Sequence, residues 1–317
     1  MPKIKKYFRN HRRVVSNGMD YLDLYVKFLK KFLKPRALTR VVFDCSNGTT
    51  GIILKKLFQK SKLRSILIND SPNGHFPAHG PNPMVPGALR DLQKAVKKYK
   101  ADLGVIFDAD GDRVFFVDDR GREASSDAIV GLLGMAARGN VILDVRCGYL
   151  ARELLVKVGR KVLDSRVGSY FIKKLMREKK VEFAGEFSAH YYFKEFFYAD
   201  AGIFAAIQMI NQVSALKEKN QSLSGWIDAL PVYYRSGELN FKVKDKAVVM
   251  KRIENFYKKS ASRISYLDGV QMEFTNPDYW FNVRPSNTEN LLRLNLEAKD
   301  KKIFTQHLAE IQKLVNQ

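Results

Sequence analysis

Leu103-Gly104-Val105-Ile106-Phe107, Asp108-Ala109-Asp110-Gly111-Asp112-Arg113 and Val114-Phe115-Phe116-Val117 follow one another without interruption. The two outer runs are short, apolar and rich in β-branched and aromatic residues, the signature of buried strands. Between them lies a hexapeptide with three carboxylates at alternate positions and Gly111 in the turn. Three acids crowded at a strand end repel one another unless a hard cation sits among them. Oxygen-only donors of this kind suit Mg²⁺ better than zinc or copper. The plain alternative is a solvated hairpin tip. An EF-hand is excluded, because the sixth position is Arg113, the twelfth is Asp119, and strands rather than helices flank the loop.

Moving upstream, the alternation continues. Apolar residues at Leu22, Tyr25, Leu29 and Phe32 predict an amphipathic helix over 21–33. Next come a strand at 40–44, the loop SNGTTG, a helix at 52–60, a strand at 65–68, a Pro/Gly-rich loop and a helix at 88–99. This β-α-β-α-β order predicts an α/β unit with parallel pairing, and the acidic loop falls at the carboxyl end of a strand, where open α/β sheets place ligands. SNGTTG lacks the Walker lysine and a full GxGxxG, so it reads as a structural tight turn. Downstream, helices at 127–138, 149–158, 170–179 and 202–219 alternate with strands at 140–145, 162–163 and 181–184. After about Trp226, short strands and two helices predict an α+β segment. No repeat of solenoid period is present.

The chain has 317 residues, 45% of them hydrophobic, enough for two or three domains. No apolar run reaches membrane-spanning length, and the basic start MPKIKKYFRNHRR lacks the apolar core of a signal peptide. Cys45 and Cys147 sit in strand-like contexts and are expected as buried free thiols of a cytoplasmic protein. The net charge of +22, from 55 Lys+Arg against 33 Asp+Glu, raises nucleic-acid binding as a reading. However, many lysines form helical doublets on solvated faces, and no RNP, zinc-finger or helix-turn-helix pattern occurs. An anionic substrate explains a basic field equally well.

Two more clusters stand out. In Gly185-Glu186-Phe187-Ser188-Ala189-His190, the acceptor, hydroxyl and imidazole alternate and would share a face if extended, a set suited to sugar hydroxyls. A polar strand edge with a satisfied histidine is the alternative. In Arg284-Pro285-Ser286-Asn287-Thr288-Glu289-Asn290, a planar guanidinium fork, two hydroxyls and a tight turn suit a phosphate. An Asn-centred turn with a surface arginine is the competing account.

Taken together and in this order, DADGDR, GEFSAH and RPSNTEN closely resemble the α-D-phosphohexomutases, the family of phosphomannomutase/phosphoglucomutase and phosphoglucosamine mutase. The loop Gly80-Pro81-Asn82-Pro83, the segment SRVGSYFIKKL at 165–175 and NLLRLNLEA at 290–298 extend the match to nearly the whole chain from about residue 21. The resemblance implies two mixed-sheet α/β domains followed by a C-terminal α+β domain. The expected divisions are a basic tail at 1–20, a metal-loop domain at 21–122, a sugar-loop domain at 123–229 and a phosphate-loop domain at 230–317. It implies Asp108, Asp110 and Asp112 as Mg²⁺ ligands with Arg113 beside them. Glu186, Ser188, Arg146 and Gly168 would line the sugar, with His190 supporting that loop. Arg284, Ser286, Asn287 and Thr288 would hold the non-reacting phosphate. The implied activity is intramolecular phosphotransfer between hexose 1-phosphate and hexose 6-phosphate, with hexose 1,6-bisphosphate as activator.

The sequence also departs from the family. No Ser-His-Asn-Pro occurs, and only 107 residues precede DADGDR. The expectation is therefore that the first, phosphoserine-bearing family domain is absent, that no residue here is the catalytic nucleophile, and that a separate domain or protein would supply it. Ser169, Asn290 and Ala201 replace a family histidine, proline and aspartate. A catalytically inactive phosphosugar-binding or partner-docking module, with a possible dimer, is the second reading.

Overall fold

The structure, a computed structural model, describes residues 20–59, 61, 63–286 and 289–317. The expected basic tail falls almost entirely outside these residues, as do Asn287 and Thr288. Helix α1 (Tyr21–Lys30) is followed by β1 (Arg40–Asp44), α2 (Thr50–Phe58), β2 (Arg64–Ile68), α3 (Arg90–Tyr99), β3 (Leu103–Phe107), β4 (Val114–Asp118) and β5 (Glu123–Ala124). These strands form one sheet in the order β2-β1-β3-β4-β5. Pairing is parallel for β2-β1-β3 and antiparallel for β3-β4-β5. The sheet is mixed because the acidic loop is a hairpin turn, which returns the chain antiparallel, whereas helix crossovers force parallel neighbours.

A second sheet repeats this plan. Helix α4 (Ser126–Ala136) leads into β6 (Val141–Asp144), α5 (Tyr149–Lys157), β7 (Val162–Ser165), α6 (Ser169–Lys179), β8 (Phe183–Gly185), β9 (Tyr191–Phe193) and β10 (Ala199–Asp200). The order β7-β6-β8-β9-β10 matches the first sheet strand for strand. Helix α7 (Gly202–Glu218) and the short α8 (Leu223–Asp228) close the unit. The third region comprises β11 (Tyr234–Arg235), β12 (Leu239–Phe241), α9 (Lys246–Tyr257), β13 (Arg263–Ser265), β14 (Val270–Thr275), β15 (Asp278–Pro285), β16 (Leu292–Ala298) and α10 (Lys301–Asn316). Its antiparallel sheet runs β11-β16-β15-β14-β13, with β12 also on β16, and has its own core around Phe281, Leu294 and Ile311. The chain therefore has the two mixed α/β sheets and the C-terminal α+β region read from the sequence.

The differences are local. Helix α1 stops at Lys30 rather than 33, because Asn211 of α7 captures the following backbone. Its Nδ2 donates to the Phe32 carbonyl at 2.8 Å, and its Oδ1 accepts from Lys34 N–H at 2.8 Å. Pro35 then excludes further helix. Strands β5, β9 and β10 are two or three residues long, too short for a period-2 pattern to show. Both cysteines are free and buried. Among the described residues no helix is long and apolar enough to cross a membrane.

The second sheet and the third region are joined by buried charge. Arg235 pairs with Asp127 and approaches Glu297 at 3.5 Å. Glu297 also accepts from the Tyr149 N–H at 2.8 Å and Trp280 Nε1 at 2.7 Å. Burial of such a set is tolerated only when its members satisfy one another, which fixes the relative placement of these elements.

Candidate functional site

The acidic loop is built as the sequence suggests. Gly111 lies at φ +79°, and its N–H donates to Asp108 Oδ1 at 3.1 Å. The Arg113 N–H donates to the same oxygen at 3.2 Å, and its Nε donates to Asp108 Oδ2 at 2.6 Å. The loop rests on SNGTTG. A Cβ on Gly48 would lie 2.3 Å from the Ala109 carbonyl oxygen, so glycine is required for the two backbones to meet. The N–H groups of Gly48 and Thr49 are bonded to the Cys45 and Ala109 carbonyls, as in a structural turn. The Pro81 carbonyl accepts from Ala109 N–H at 3.1 Å, so the Pro/Gly-rich loop buttresses the same turn.

Carboxylate oxygens of Asp108, Asp110 and Asp112 can all lie within 4.8 Å of one another. Burial pushes the Asp108 carboxyl up to about 6, with Arg113 opposing the shift and Asp112 adding to it. The hydrogen bond with His190 holds Asp112 down at about 2. An all-oxygen set of three carboxylates, with Asp110 exposed among them, fits a hard divalent cation. A second grouping of Asp112, His190 and Asp200 does not fit one. Lys173 Nζ already holds Asp200 at 2.7 Å, and His190 favours its charged form.

The sugar-loop residues meet, but not by strand alternation. Ala189 is at φ +65°, and the loop closes as a turn with Glu186 N–H donating to the His190 carbonyl and Ala189 N–H to the Glu186 carbonyl. Ser188 Oγ donates to Glu186 Oε2 at 3.1 Å and lies 3.1 Å from His190 Nδ1. His190 Nε2 faces Asp112 Oδ2 at 3.5 Å. Burial disfavours the imidazolium, but Asp112 and Glu186 outweigh it and raise the His190 pKa. Glu186 is raised as well, by burial and Asp144 against the pull of Arg146, and the Tyr192 hydroxyl donates to it. The acidic and sugar loops are stitched through their backbones. Arg113 and His190 form a β-bridge, Val114 N–H donates to the Ala189 carbonyl at 3.2 Å, and Gly202 N–H to the Gly111 carbonyl at 3.1 Å.

Arg146 occupies the centre. It is 5% exposed and donates to Asp144, to Glu186 Oε2 at 3.1 Å and to Ser188 Oγ at 3.2 Å. Arg284 is 1% exposed, so it is no surface arginine. Ser286 is buried; its N–H donates to the Leu291 carbonyl and its Oγ accepts from Glu289 N–H. Gly168 stands apart at the start of α6, where its carbonyl accepts from Phe171 and Ile172. The neighbouring Val167 N–H is held by Asp268 at 3.0 Å.

Sequence reasoning missed three site-building residues. Asp144 accepts from Arg146 N, Nε and Nη2 and from Phe187 N. Asp44 does the matching work in the first sheet, accepting from Ser46 N at 2.9 Å and Asn69 Nδ2 at 3.0 Å and facing His79 Nε2 at 3.2 Å. The signal was available, since Asp44…Gly48 and Asp144…Gly148 have the same spacing at the ends of equivalent strands. The third is Glu238, which bridges Arg146, Arg284 and Arg293.

Two matching α/β units and an α+β region place an acidic, a polar and a basic loop at the carboxyl ends of strands, where open α/β sheets bind ligands. Residues 20–121, 125–234 and 238–314 match the phosphoglucomutase/phosphomannomutase alpha/beta/alpha domain II, alpha/beta/alpha domain III and C-terminal domain. The chain belongs to this family. It is 38% identical to a phosphomannomutase of Methanocaldococcus jannaschii, over 99% of this chain and 71% of the relative. It is 33% identical to a phosphomannomutase of Vibrio cholerae, over 94% of this chain and 66% of that one. The fold superposes on a phosphoglucomutase/phosphomannomutase family protein from Burkholderia thailandensis with a TM-score of 0.83 at 24% identity, covering 93% of this chain and 64% of that one. The chain thus spans roughly two thirds of the length of these relatives.

Proposed function

We propose that this chain supplies the metal, sugar and phosphate contacts of an α-D-phosphohexomutase, acting on hexose 1-phosphate and hexose 6-phosphate in a reducing, cytoplasmic setting. The observation that carries this reading is the direct stitching of the acidic loop to the sugar loop, through the Arg113–His190 bridge and the Asp112–His190–Ser188–Glu186 contacts.

In this reading Asp108, Asp110 and Asp112 hold Mg²⁺, which when bound supplies positive charge for a phosphoryl group. Arg113 fixes the rotamer of Asp108. Glu186 accepts from sugar hydroxyls, and Ser188 orients it. His190 keeps a proton between Ser188 and Asp112, and Arg146 sets the carboxylate of Glu186 at the sugar. Arg284 and Ser286, with Asn287 and Thr288, bind the phosphate that does not react, so the sugar is held at both ends. None of these groups is a phosphorylatable nucleophile in the expected family motif. The phosphoryl donor is therefore a serine loop outside the three clusters.

The test is turnover of mannose or glucose 1-phosphate with Mg²⁺ and hexose 1,6-bisphosphate, with and without an added domain bearing the Ser-His-Asn-Pro loop. Turnover that depends on the added domain and is lost in Arg284→Ala supports the reading. No turnover in either case, with hexose phosphate still bound in calorimetry, favours the binding-module alternative. No binding at all refutes both.

A further inference from the structure

Arg284 is tied to Glu238. Its Nη2 donates to Glu238 Oε2 at 2.7 Å. Arg293 Nη1 donates to Oε1 of the same carboxylate at 3.1 Å, and Arg146 Nη1 approaches Oε2 at 3.5 Å. Three guanidinium groups thus converge on two oxygens. Arg146 shares its charge with Asp144 and Glu186, and Arg293 shares its charge with Glu289 at 3.0 Å. For Arg284, the ion pair found among the described residues is with Glu238.

Two of the three arginines are also left incompletely bonded. Arg284 Nε and Arg293 Nε are buried without a hydrogen-bond partner among the described residues. Such groups cost free energy until an acceptor reaches them. Of the bridging pair, the Arg284 side chain is 2% exposed while the Glu238 side chain is 18% exposed. Glu238 is the more exposed member of the pair. An anion that reaches Arg284 Nη2 must share or take the hydrogen bond it makes to Glu238.

We propose that Glu238 is an internal carboxylate occupying the place of a phosphate, a positioning residue that holds Arg284 in the absence of ligand and competes with the ligand when it arrives. This rests on the reading that Arg284 binds phosphate. A phosphate offers the guanidinium forks three oxygens and more charge than a carboxylate, so it displaces Glu238 from Arg284. The released carboxylate stays with Arg293 and Arg146. Because Arg146 also fixes Glu186 and Ser188, occupancy of the phosphate site is felt at the sugar loop through one shared side chain.

The proposal predicts a direction opposite to that of structural damage. Glu238→Gln keeps the side-chain shape and one acceptor oxygen but removes the competing charge. Inorganic phosphate, titrated by calorimetry, is expected to bind Glu238→Gln about tenfold more tightly than the unaltered chain, and Glu238→Asp close to it. Arg284→Ala abolishes binding in every background. Binding that depends on Arg284 but is equal or weaker in Glu238→Gln overturns the inference and leaves the phosphate site standing. Binding indifferent to Arg284→Ala removes the phosphate site, and the inference with it. A crystal structure of the unaltered chain with phosphate decides the matter should Glu238→Gln fail to fold. Separation of Glu238 Oε2 from Arg284 Nη2 beyond hydrogen-bonding distance is expected, and an intact contact beside a phosphate bound to Arg284 overturns the proposal.

Discussion

Replacing Asp144 by Asn is the sharpest test of how the site is held. The carboxylate is fully buried and accepts from Arg146 N at 2.6 Å, Nε at 3.2 Å and Nη2 at 2.8 Å, and from Phe187 N at 3.0 Å. Asn keeps the shape but removes the charge and turns a donor toward the guanidinium. Losing one member of a buried pair costs about 3–5 kcal/mol. Glu186 and Glu238 still face Arg146 at 3.1 and 3.5 Å, which places the expected cost near the lower end, about 3 kcal/mol. At roughly 2–4 °C per kcal/mol, the thermal midpoint falls by about 6–12 °C. Asp44→Asn is the internal control, because its partners are Ser46 N–H, Asn69 and His79 rather than an arginine. It is expected to cost less, about 1–2 kcal/mol. The pH dependence carries the same information. Burial alone would raise the Asp144 pKa, but the charge and hydrogen bonds of Arg146 outweigh it and the pKa is lowered. Its stabilising contribution is therefore present above the unfolded-state value of about 3.9 and is lost as pH falls through the lower folded-state value. Urea unfolding over a pH series should show a shallower acid limb in Asp144→Asn. A cost under about 1 kcal/mol, or an equal cost in Asp44→Asn, would refute the idea that Arg146 is held mainly by its charge pairing with Asp144.

Three further outcomes follow from the geometry. The hydrogen bond to Asp44 raises the His79 pKa against the effect of burial, so its contribution is complete below the unfolded value and fades as pH rises through the folded one. An NMR titration of His79 should give a midpoint above 6.5 that drops in Asp44→Asn. Gly48→Ala drives a methyl group to 2.3 Å from the Ala109 carbonyl oxygen, so the acidic loop must shift. Mg²⁺ affinity measured by calorimetry should fall at least tenfold while the fold persists by circular dichroism. Asp110→Asn, at the most solvent-facing position of the triad, should lower Mg²⁺ affinity with little change in stability without metal, and an unchanged affinity would remove Asp110 from the ligand set.

The loops were legible because their information is local. DADGDR, GEFSAH and RPSNTEN each compress several polar groups into a few residues at a strand end, and the hydrophobic runs around them set the strand boundaries. Glu238 was not legible, since it is a single acid before a three-residue strand. Its meaning arises when β12 pairs with β16 and brings residue 238 to Arg284 and Arg293, 46 and 55 positions away. Arg284 was read as either a phosphate fork or a surface side chain, and burial removed the second option. The alternation of Glu186, Ser188 and His190 gave the right convergence for a different geometric reason, a turn at Ala189 rather than an extended strand.

The duplicated sheets end in the same device, an aspartate whose carboxylate accepts the N–H two residues on: Ser46 at 2.9 Å in one, Arg146 at 2.6 Å in the other. What differs is the side chain that this turn presents. A neutral serine leaves Asp44 without an arginine, and the neighbouring loop sets the three carboxylates of Asp108, Asp110 and Asp112 against the one guanidinium of Arg113. An arginine at the matching place is shared between Asp144 and Glu186, and Ser188 of the neighbouring loop packs against the same guanidinium. The two halves of one scaffold thus surround a shared backbone turn with different charge, an acid-rich loop in one and an arginine-centred polar loop in the other.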